Sequence, residues 1–131
     1  MFLDASAIVA IIAQEKDWPA LSARLEQASR IFTSPIAIYE AIAGLSRIGR
    51  TSVPAAQGLL EDLLEGARVE IIPITPDIGL RAIDAFTRFG KGRHPAGLNM
   101  GDCFAYACAR ELNAPLLCKG NDFSKTDIAL A

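Results

Sequence analysis

The sequence contains little of the histidine and cysteine on which most transition-metal and thiol chemistry depends. It has one histidine, His94, and three cysteines, Cys103, Cys108 and Cys118. The number of cysteines is odd, and no two of them have the C-x-x-C spacing of zinc sites or redox motifs. We interpret them as reduced core thiols and expect a cytoplasmic protein.

An excess of charge of either sign is also absent. The formal net charge is -2, which provides no polybasic surface for nucleic acid, so any such binding must use local basic groups or metal ions. Charged residues make up 21% of the chain and hydrophobic residues 51%, a composition that excludes disorder. A length of 131 residues fits one domain, residues 1–131, with a sizeable core. The apolar stretch 2–13 contains Asp4 and lacks a basic region before it, so we expect neither a signal peptide nor a membrane span there.

Short apolar runs alternate with amphipathic segments along the whole chain. The runs begin at Met1, Ile31, Arg68 and Pro115, and each is short enough for a buried strand. Helix-start signals follow or lie between them, including Ser or Thr before a proline. This alternation predicts an α/β fold of three layers, with a parallel sheet between helices on both faces.

Two acidic residues occur where the surrounding sequence is apolar. Asp4 follows the first predicted strand, and Ser6 could either cap the next helix or hold a ligand or water. Glu40 is the only charged residue in the predicted helix 36–45, which is apolar on all sides and therefore expected to be buried. An ionised carboxylate in such a place needs a cation, a metal or hydrogen-bond donors; a salt bridge, for example to Arg47, is the purely structural alternative.

Two further acids lie towards the end of the chain. Asp102 begins the last long predicted helix, and Asp122 follows the apolar run 115–118. Ligands of open α/β sheets bind outside the carboxyl ends of the strands, so all four acids could face one crevice. Taken singly, Asp102 could simply be a helix-start acid and Asp122 a turn former.

The acids have no competitor for a catalytic role. The sequence contains no glycine-rich phosphate loop, serine elbow or Cys/His cluster. Carboxylates that share a crevice repel each other unless a cation neutralises them. Hard oxygen ligands suit Mg²⁺ or Mn²⁺, and such a site can activate water and stabilise the leaving oxygen of a phosphodiester displacement.

Four segments resemble the motifs of PIN-domain ribonucleases, above all the VapC toxins of bacterial type II toxin–antitoxin systems. They are MFLDASAIVAII, SPIAIYEAIAGL, LNMGDCFAYACAREL and LLCKGNDFSKTDI. The resemblance spans nearly the whole chain. It implies a PIN-like fold, an endoribonuclease dependent on Mg²⁺ or Mn²⁺, a homodimer, and inhibition by a VapB-like antitoxin. It assigns the metal-binding acids to Asp4, Glu40 and Asp102, with Ser6 and Asn99 in support. We expect the early helices to hold the homodimer, because apolar residues such as Ile11, Ile12 and Leu45 exceed what one layer need bury.

The fourth acid and the RNA-binding residues are less closely matched by the resemblance. Asp122 fits the second acid of a Gly-Asp-Asp-Phe pattern in which Asn121 replaces the first, and Asp127 is a nearby alternative. We expect Lys91 and Arg93 to contact RNA phosphates, since they lie on a glycine-hinged loop just before Asp102.

Three other interpretations remain open at the level of sequence. His94, in the basic loop, is either catalytic or simply solvated. A catalytically degenerate PIN-like RNA-binding or regulatory module is the alternative function. A phosphorelay receiver domain fits poorly, because it needs paired acids after the first strand and Asp4 stands alone.

Overall fold

A four-stranded parallel sheet forms the centre of the protein in a computed structural model that describes residues 1–49 and 51–131. The sheet order is β3-β2-β1-β4, so β1 and β2 are its inner strands. Phe2 of β1 pairs with Phe32 on one side and with Leu116 on the other. The strands are β1 (Phe2–Leu3), β2 (Phe32–Thr33), β3 (Glu70–Ile71) and β4 (Leu116–Leu117).

Six α-helices and one short 3₁₀ helix connect and follow the strands. Three of the helices begin where the sequence predicts, because the hydroxyls of Ser34, Ser52 and Thr75 accept a hydrogen bond from the first turn and proline follows within two residues. The helices are α1 (Ala5–Ile12), α2 (Trp18–Gln27), α3 (Pro35–Arg47), α4 (Val53–Gly66), α5 (Pro76–Phe89), α6 (Met100–Glu111) and the 3₁₀ helix η1 (Phe123–Lys125).

Successive residues of β1 and of β4 enter two different hydrophobic cores. Phe2 and Leu116 pack with α5, α6 and the C-terminal segment, whereas Leu3 and Leu117 pack with α1 to α4. Side chains alternate across a strand, so helices on both faces of the sheet bury both residues of β1 and both residues of β4. The predicted three-layer α/β/α arrangement around a parallel sheet is confirmed.

Helix α3 differs from the expectation that it is buried on every side. Ala37, Ala41 and Leu45 face the core, but the side chain of Tyr39 is 74% exposed. The helix lies in an outer layer, so only one of its faces meets the sheet, although its other faces are also largely apolar. No helix within the described part of the chain is long and apolar enough to cross a membrane.

Candidate active site

A pocket of about 460 Å³ opens where β1 and β4 end. Three of the four acids predicted from the sequence line it, and they come from three different elements. Asp4 directly follows β1, Glu40 lies on α3, and Asp102 lies in the first turn of α6. The remaining lining residues are Ala5, Ser6, Val9, Glu15, Asn99, Lys119 and Gly120.

Asp4 is held in place by the helix that it begins. It is the N-cap of α1, and its Oδ2 accepts hydrogen bonds from the backbone N–H of Ser6 at 3.0 Å and from the Ser6 hydroxyl at 2.5 Å. The Ser6 hydroxyl in turn accepts a hydrogen bond from the backbone N–H of Lys119, at 2.9 Å. Ser6 therefore is not the helix cap; it links the buried carboxylate to the chain that leaves β4.

Asp102 and Asn99 form a reciprocal capping box at the start of α6. The backbone N–H of Asp102 donates to Asn99 Oδ1 at 2.9 Å, and the backbone N–H of Asn99 donates to Asp102 Oδ2 at 3.0 Å. Asn99 therefore lines the pocket and fixes the side chain of Asp102. The structural role of Asp102 and its place in the pocket coexist, because capping engages its Oδ2 alone.

Glu40 has no cationic partner among the described residues. None of the ion pairs between them includes this half-buried carboxylate, so the structure offers no salt bridge to Arg47. The carboxylate reaches the pocket from α3 and lies against the first turn of α6.

Burial and mutual repulsion raise the pKa values of these acids. Burial raises the pKa of Asp4, and the charge of Asp122 adds to this effect against the hydrogen bonds from Ser6. The pKa of Glu40 is raised by burial and by the charges of Asp4 and Asp102. The pKa of Asp102 rises from 3.8 to about 6, chiefly by burial and also through Asp4 and Asp122. In the metal-free pocket, each of these carboxylates is therefore less stable as an anion than it would be in water.

Asp122 and Asp127, the two candidates for the fourth acid, lie in different environments. Asp122 is exposed at the start of η1, near enough for its charge to act on Asp4 and Asp102. Asp127 accepts hydrogen bonds from the Tyr106 hydroxyl at 2.6 Å and from Arg88 Nη2 at 2.7 Å, and both bonds lower its pKa. Asp127 is therefore part of a separate network, whereas Asp122 lies near the pocket without lining it.

The basic loop before α6 lies beside the acidic pocket without lining it. Backbone hydrogen bonds between Lys91 and Leu98 and between Leu98 and Phe89 close the loop. The Arg93 guanidinium carbon lies 4.8 Å from the centroid of the Phe86 ring. The loop histidine accepts a hydrogen bond at Nδ1 from the Ala96 N–H, and its ring packs edge-on against Phe89. These contacts give His94 a role in shaping the loop.

The sequence did not assign Glu15 and Lys119 to the site. The Lys119 ammonium forms an ion pair with Glu15, and the hydrogen bond from this pair raises the lysine pKa. Lys119 directly follows the residue after β4, so its position at the carboxyl end of a buried strand was a usable signal. Glu15 follows α1 in a loop, and no local pattern marked it.

The chemistry of the donor set fits a hydrated divalent cation. The pocket presents carboxylate oxygens whose mutual repulsion a cation would relieve, and oxygen is the donor that Mg²⁺ and Mn²⁺ prefer. Among residues 1–49 and 51–131, no three His, Cys, Asp or Glu side chains converge into a closed ligand set. Mg²⁺ commonly keeps several waters and binds through one or two carboxylates, so a closed set is not required.

The sequence matches a family model and several relatives over almost its full length. The model for the PIN domain matches residues 1–129. A VapC ribonuclease of Rhizobium meliloti strain 1021 is 39% identical, with the match covering 97% of this chain and 98% of the relative. A ribonuclease VapC of Mycolicibacterium smegmatis is 40% identical, over 98% of each chain.

Solved structures share the fold at lower sequence identity. The sarcin-ricin-loop-cleaving toxin VapC20 of Mycobacterium tuberculosis superposes with a TM-score of 0.79 at 16% identity, over 99% of this chain and 97% of that one. VapBC2 of Rickettsia felis, bound to a DNA fragment from its promoter, gives a TM-score of 0.74 at 20% identity, over 99% and 96%. The solved structures share the fold of this chain, and the sequence matches show that it belongs to the PIN domain family and, within it, to the VapC ribonucleases.

Proposed function

We propose that this protein is the endoribonuclease toxin of a toxin–antitoxin pair and that it hydrolyses RNA phosphodiester bonds with a divalent metal ion. The observation that carries the proposal is the convergence of Asp4, Glu40 and Asp102 in one pocket from three separate elements. Their raised pKa values show that each carboxylate is disfavoured as an isolated anion there. A structural role alone would not require three such groups to share a cavity.

Asp4, Glu40 and Asp102 would hold the ion, Mg²⁺ or Mn²⁺, with Asp122 at the edge of the pocket. When bound, such an ion supplies the positive charge that activates water for attack on phosphorus and stabilises the leaving oxygen. Ser6 orients the Asp4 carboxylate through two hydrogen bonds, and Asn99 orients that of Asp102. Lys119 places a cation on the wall of the pocket, where it would attract an RNA phosphate.

The proposed partner is a VapB-like antitoxin. A toxin–antitoxin complex from Klebsiella pneumoniae shares the fold, with a TM-score of 0.70 at 15% identity. The Rickettsia felis VapBC2 assembly described above also shares it. An inhibitor that placed a basic side chain among the three acids would relieve their repulsion, as a metal ion does. We therefore expect an antitoxin segment to enter the acidic pocket and to compete with the ion.

Cleavage of RNA with and without divalent metal tests the catalytic proposal. The purified protein should cleave RNA in Mg²⁺ or Mn²⁺ and lose this activity in excess EDTA. Asp102→Asn should abolish cleavage, whereas the matched control Asp62→Asn, on the exposed face of α4, should retain it. Cleavage that persists in EDTA or in Asp102→Asn contradicts the proposal, and RNA binding without cleavage by the wild type supports the regulatory alternative.

A further inference from the structure

The glycine at position 101 is not required by the backbone. Gly101 lies in the first turn of α6, between Met100 and Asp102, and its φ angle is not in the left-handed region. An alanine could adopt the same backbone conformation and would favour the helix. The lack of a side chain at this buried position therefore calls for an explanation outside the backbone.

The explanation lies in the carboxylate of Glu40. A Cβ built on residue 101 would overlap both carboxylate oxygens and the carboxyl carbon of Glu40, far inside van der Waals contact. Apart from the chain neighbours of residue 101 and the backbone of its own helix, those are the three heavy atoms nearest to that Cβ position. The helical glycines Gly58, Gly66 and Gly79 differ, because a Cβ at any of them would meet nothing within 4 Å. The absence of a side chain at Gly101 on α6 thus leaves the space that the carboxylate of Glu40 on α3 occupies.

No other contact in the described part of the chain fixes this carboxylate. The described hydrogen bonds and ion pairs do not include Glu40, whereas Asp4 and Asp102 are both held by hydrogen bonds. The position of the Glu40 carboxylate therefore depends on the shape of the surface against which it packs. That surface is the backbone of the residue directly before Asp102.

We propose that Gly101 is a positioning residue, whose missing side chain gives the Glu40 carboxylate its place beside Asp102 in the metal-binding pocket. This inference rests on the proposed function. An added methyl group displaces the far end of a flexible side chain and leaves the backbones of α3 and α6 in place. Gly101→Ala is therefore expected to spare the fold while it moves one metal ligand.

The first experiment compares Gly101→Ala with Gly58→Ala, a helical glycine on α4 with open space around it. In EDTA both variants should melt at or above the wild-type temperature, since both gain helix propensity. Gly101→Ala should cleave RNA about 100-fold more slowly, the scale expected for a catalytic group displaced by about 1 Å. It should also bind Mn²⁺ more weakly by calorimetry, and Gly58→Ala should match the wild type in both measurements.

The second experiment asks whether Gly101 acts through Glu40. In a Glu40→Ala background the displaced group is absent, so adding Gly101→Ala should leave the Mn²⁺ affinity unchanged. The melting temperature should stay the same or rise, because the gain in helix propensity does not depend on Glu40. If Gly101→Ala lowers both equally in the two backgrounds, the glycine serves helix packing alone and the inference is overturned. The inference is also overturned if Gly101→Ala cleaves RNA as fast as the wild type and binds Mn²⁺ with the same affinity. A wild type that binds Mn²⁺ but cleaves no RNA refutes the proposed function instead, and the Mn²⁺ comparison still decides the role of Gly101.

Discussion

At the scale of single residues, the acids of the pocket have structural and functional roles at once. Asp4 caps α1 through Oδ2, and Asp102 completes a capping box through Oδ2. Each cap orients a carboxylate and offers it hydrogen bonds that lower its pKa, while burial acts in the opposite direction and prevails. Helix capping and ion binding are therefore compatible in one side chain. An asparagine at the same position could still cap the helix but would lack the negative charge that binds the ion.

Asp102→Asn should stabilise the metal-free protein near neutral pH. The pKa of Asp102 rises from 3.8 to about 6 on folding, so the folded state binds the proton more tightly than the unfolded chain. The wild type therefore loses stability as the pH rises from about 4 to about 6, and the loss remains complete above that range. The variant lacks this loss, on the order of 1 kcal/mol after allowance for solvent screening, and the new amide can still accept the Asn99 hydrogen bond.

Melting in EDTA across pH checks this expectation. The gap between Asp102→Asn and the wild type should be largest near pH 7 and should close below about pH 4, where neither protein carries the charge. Mg²⁺ should then raise the melting temperature of the wild type more than that of the variant. A variant that melts lower at pH 7, with equal shifts in Mg²⁺, would identify Asp102 as a helix cap without a role in metal binding.

The two candidates for the fourth acid should separate into a functional and a structural residue. Asp122→Asn removes a charge that acts on Asp4 and Asp102, so it should lower the cleavage rate and the Mg²⁺ affinity with little change in melting temperature. Asp127→Asn weakens the bonds from Tyr106 and Arg88, so it should lower stability by roughly 1 kcal/mol and leave cleavage intact. The opposite pattern would assign the fourth acid to Asp127.

At the scale of elements, local sequence signals set where the helices begin. Ser34, Ser52 and Thr75 cap α3, α4 and α5 as expected, because a cap requires only one side chain and the backbone within a single turn. Asn113, just after α6, adopts the left-handed conformation that its position predicts, with φ of 48°. Local signals do not set which face of a helix is buried, as the exposed Tyr39 on α3 shows.

The loop between α5 and α6 should contribute to RNA affinity through its two basic residues. Lys91 and Arg93 are exposed, and the loop joins the acidic pocket at Asn99. Each phosphate contact removed should reduce the slope of log affinity against log salt by about 0.7 on single-stranded RNA. The double variant Lys91→Ala, Arg93→Ala should therefore show a shallower slope, measured by fluorescence anisotropy.

Arg24→Ala on α2 is the control for this measurement, since Arg24 is an exposed basic residue outside the acidic pocket. Its salt slope should equal that of the wild type. If the loop double variant also keeps the wild-type slope, Lys91 and Arg93 do not contact phosphates. Loss of the Arg93–Phe86 contact should have only a small effect on stability, about 0.5–1 kcal/mol.

At the scale of the whole molecule, exposed apolar side chains favour self-association. The sequence suggested Ile11, Ile12 and Leu45 of the early helices as the excess apolar surface. In the structure Leu45 is only 4% exposed and belongs to the interior, whereas Leu80, Ile83 and Met100 are each more than 60% exposed. These three side chains line an apolar groove of about 580 Å³ between α5 and α6.

We expect a homodimer in solution, measurable by light scattering at micromolar concentration. Ile83→Lys places a charge on the groove and should shift the protein towards monomer if that surface is the interface. Ile12→Lys, on α1, tests the interface suggested by the early helices. A wild type that remains monomeric would contradict the prediction of a dimer, and dissociation by Ile12→Lys alone would place the interface on the early helices.

The sequence by itself determined the order of strands and helices along the chain, the starts of most helices and the three acids of the pocket. These features follow from local rules: hydrophobic period, capping within one turn, and the cost of an acid in an apolar segment. The carboxyl-end rule for parallel sheets then predicted that Asp4 and Asp102 meet, and the pocket brings them together.

Only the tertiary structure decided which partners these residues have. Glu40 against Gly101, Lys119 against Glu15 and Asp127 against Tyr106 are contacts between segments far apart in the chain. Neither hydrophobic period nor residue type carries information about such pairs, because they depend on how the helices on each face of the sheet are placed relative to one another. The same reason explains the exposure of Tyr39. The sequence of a helix that is apolar on all sides does not specify which side meets the sheet, so the packing of the outer layer determines it.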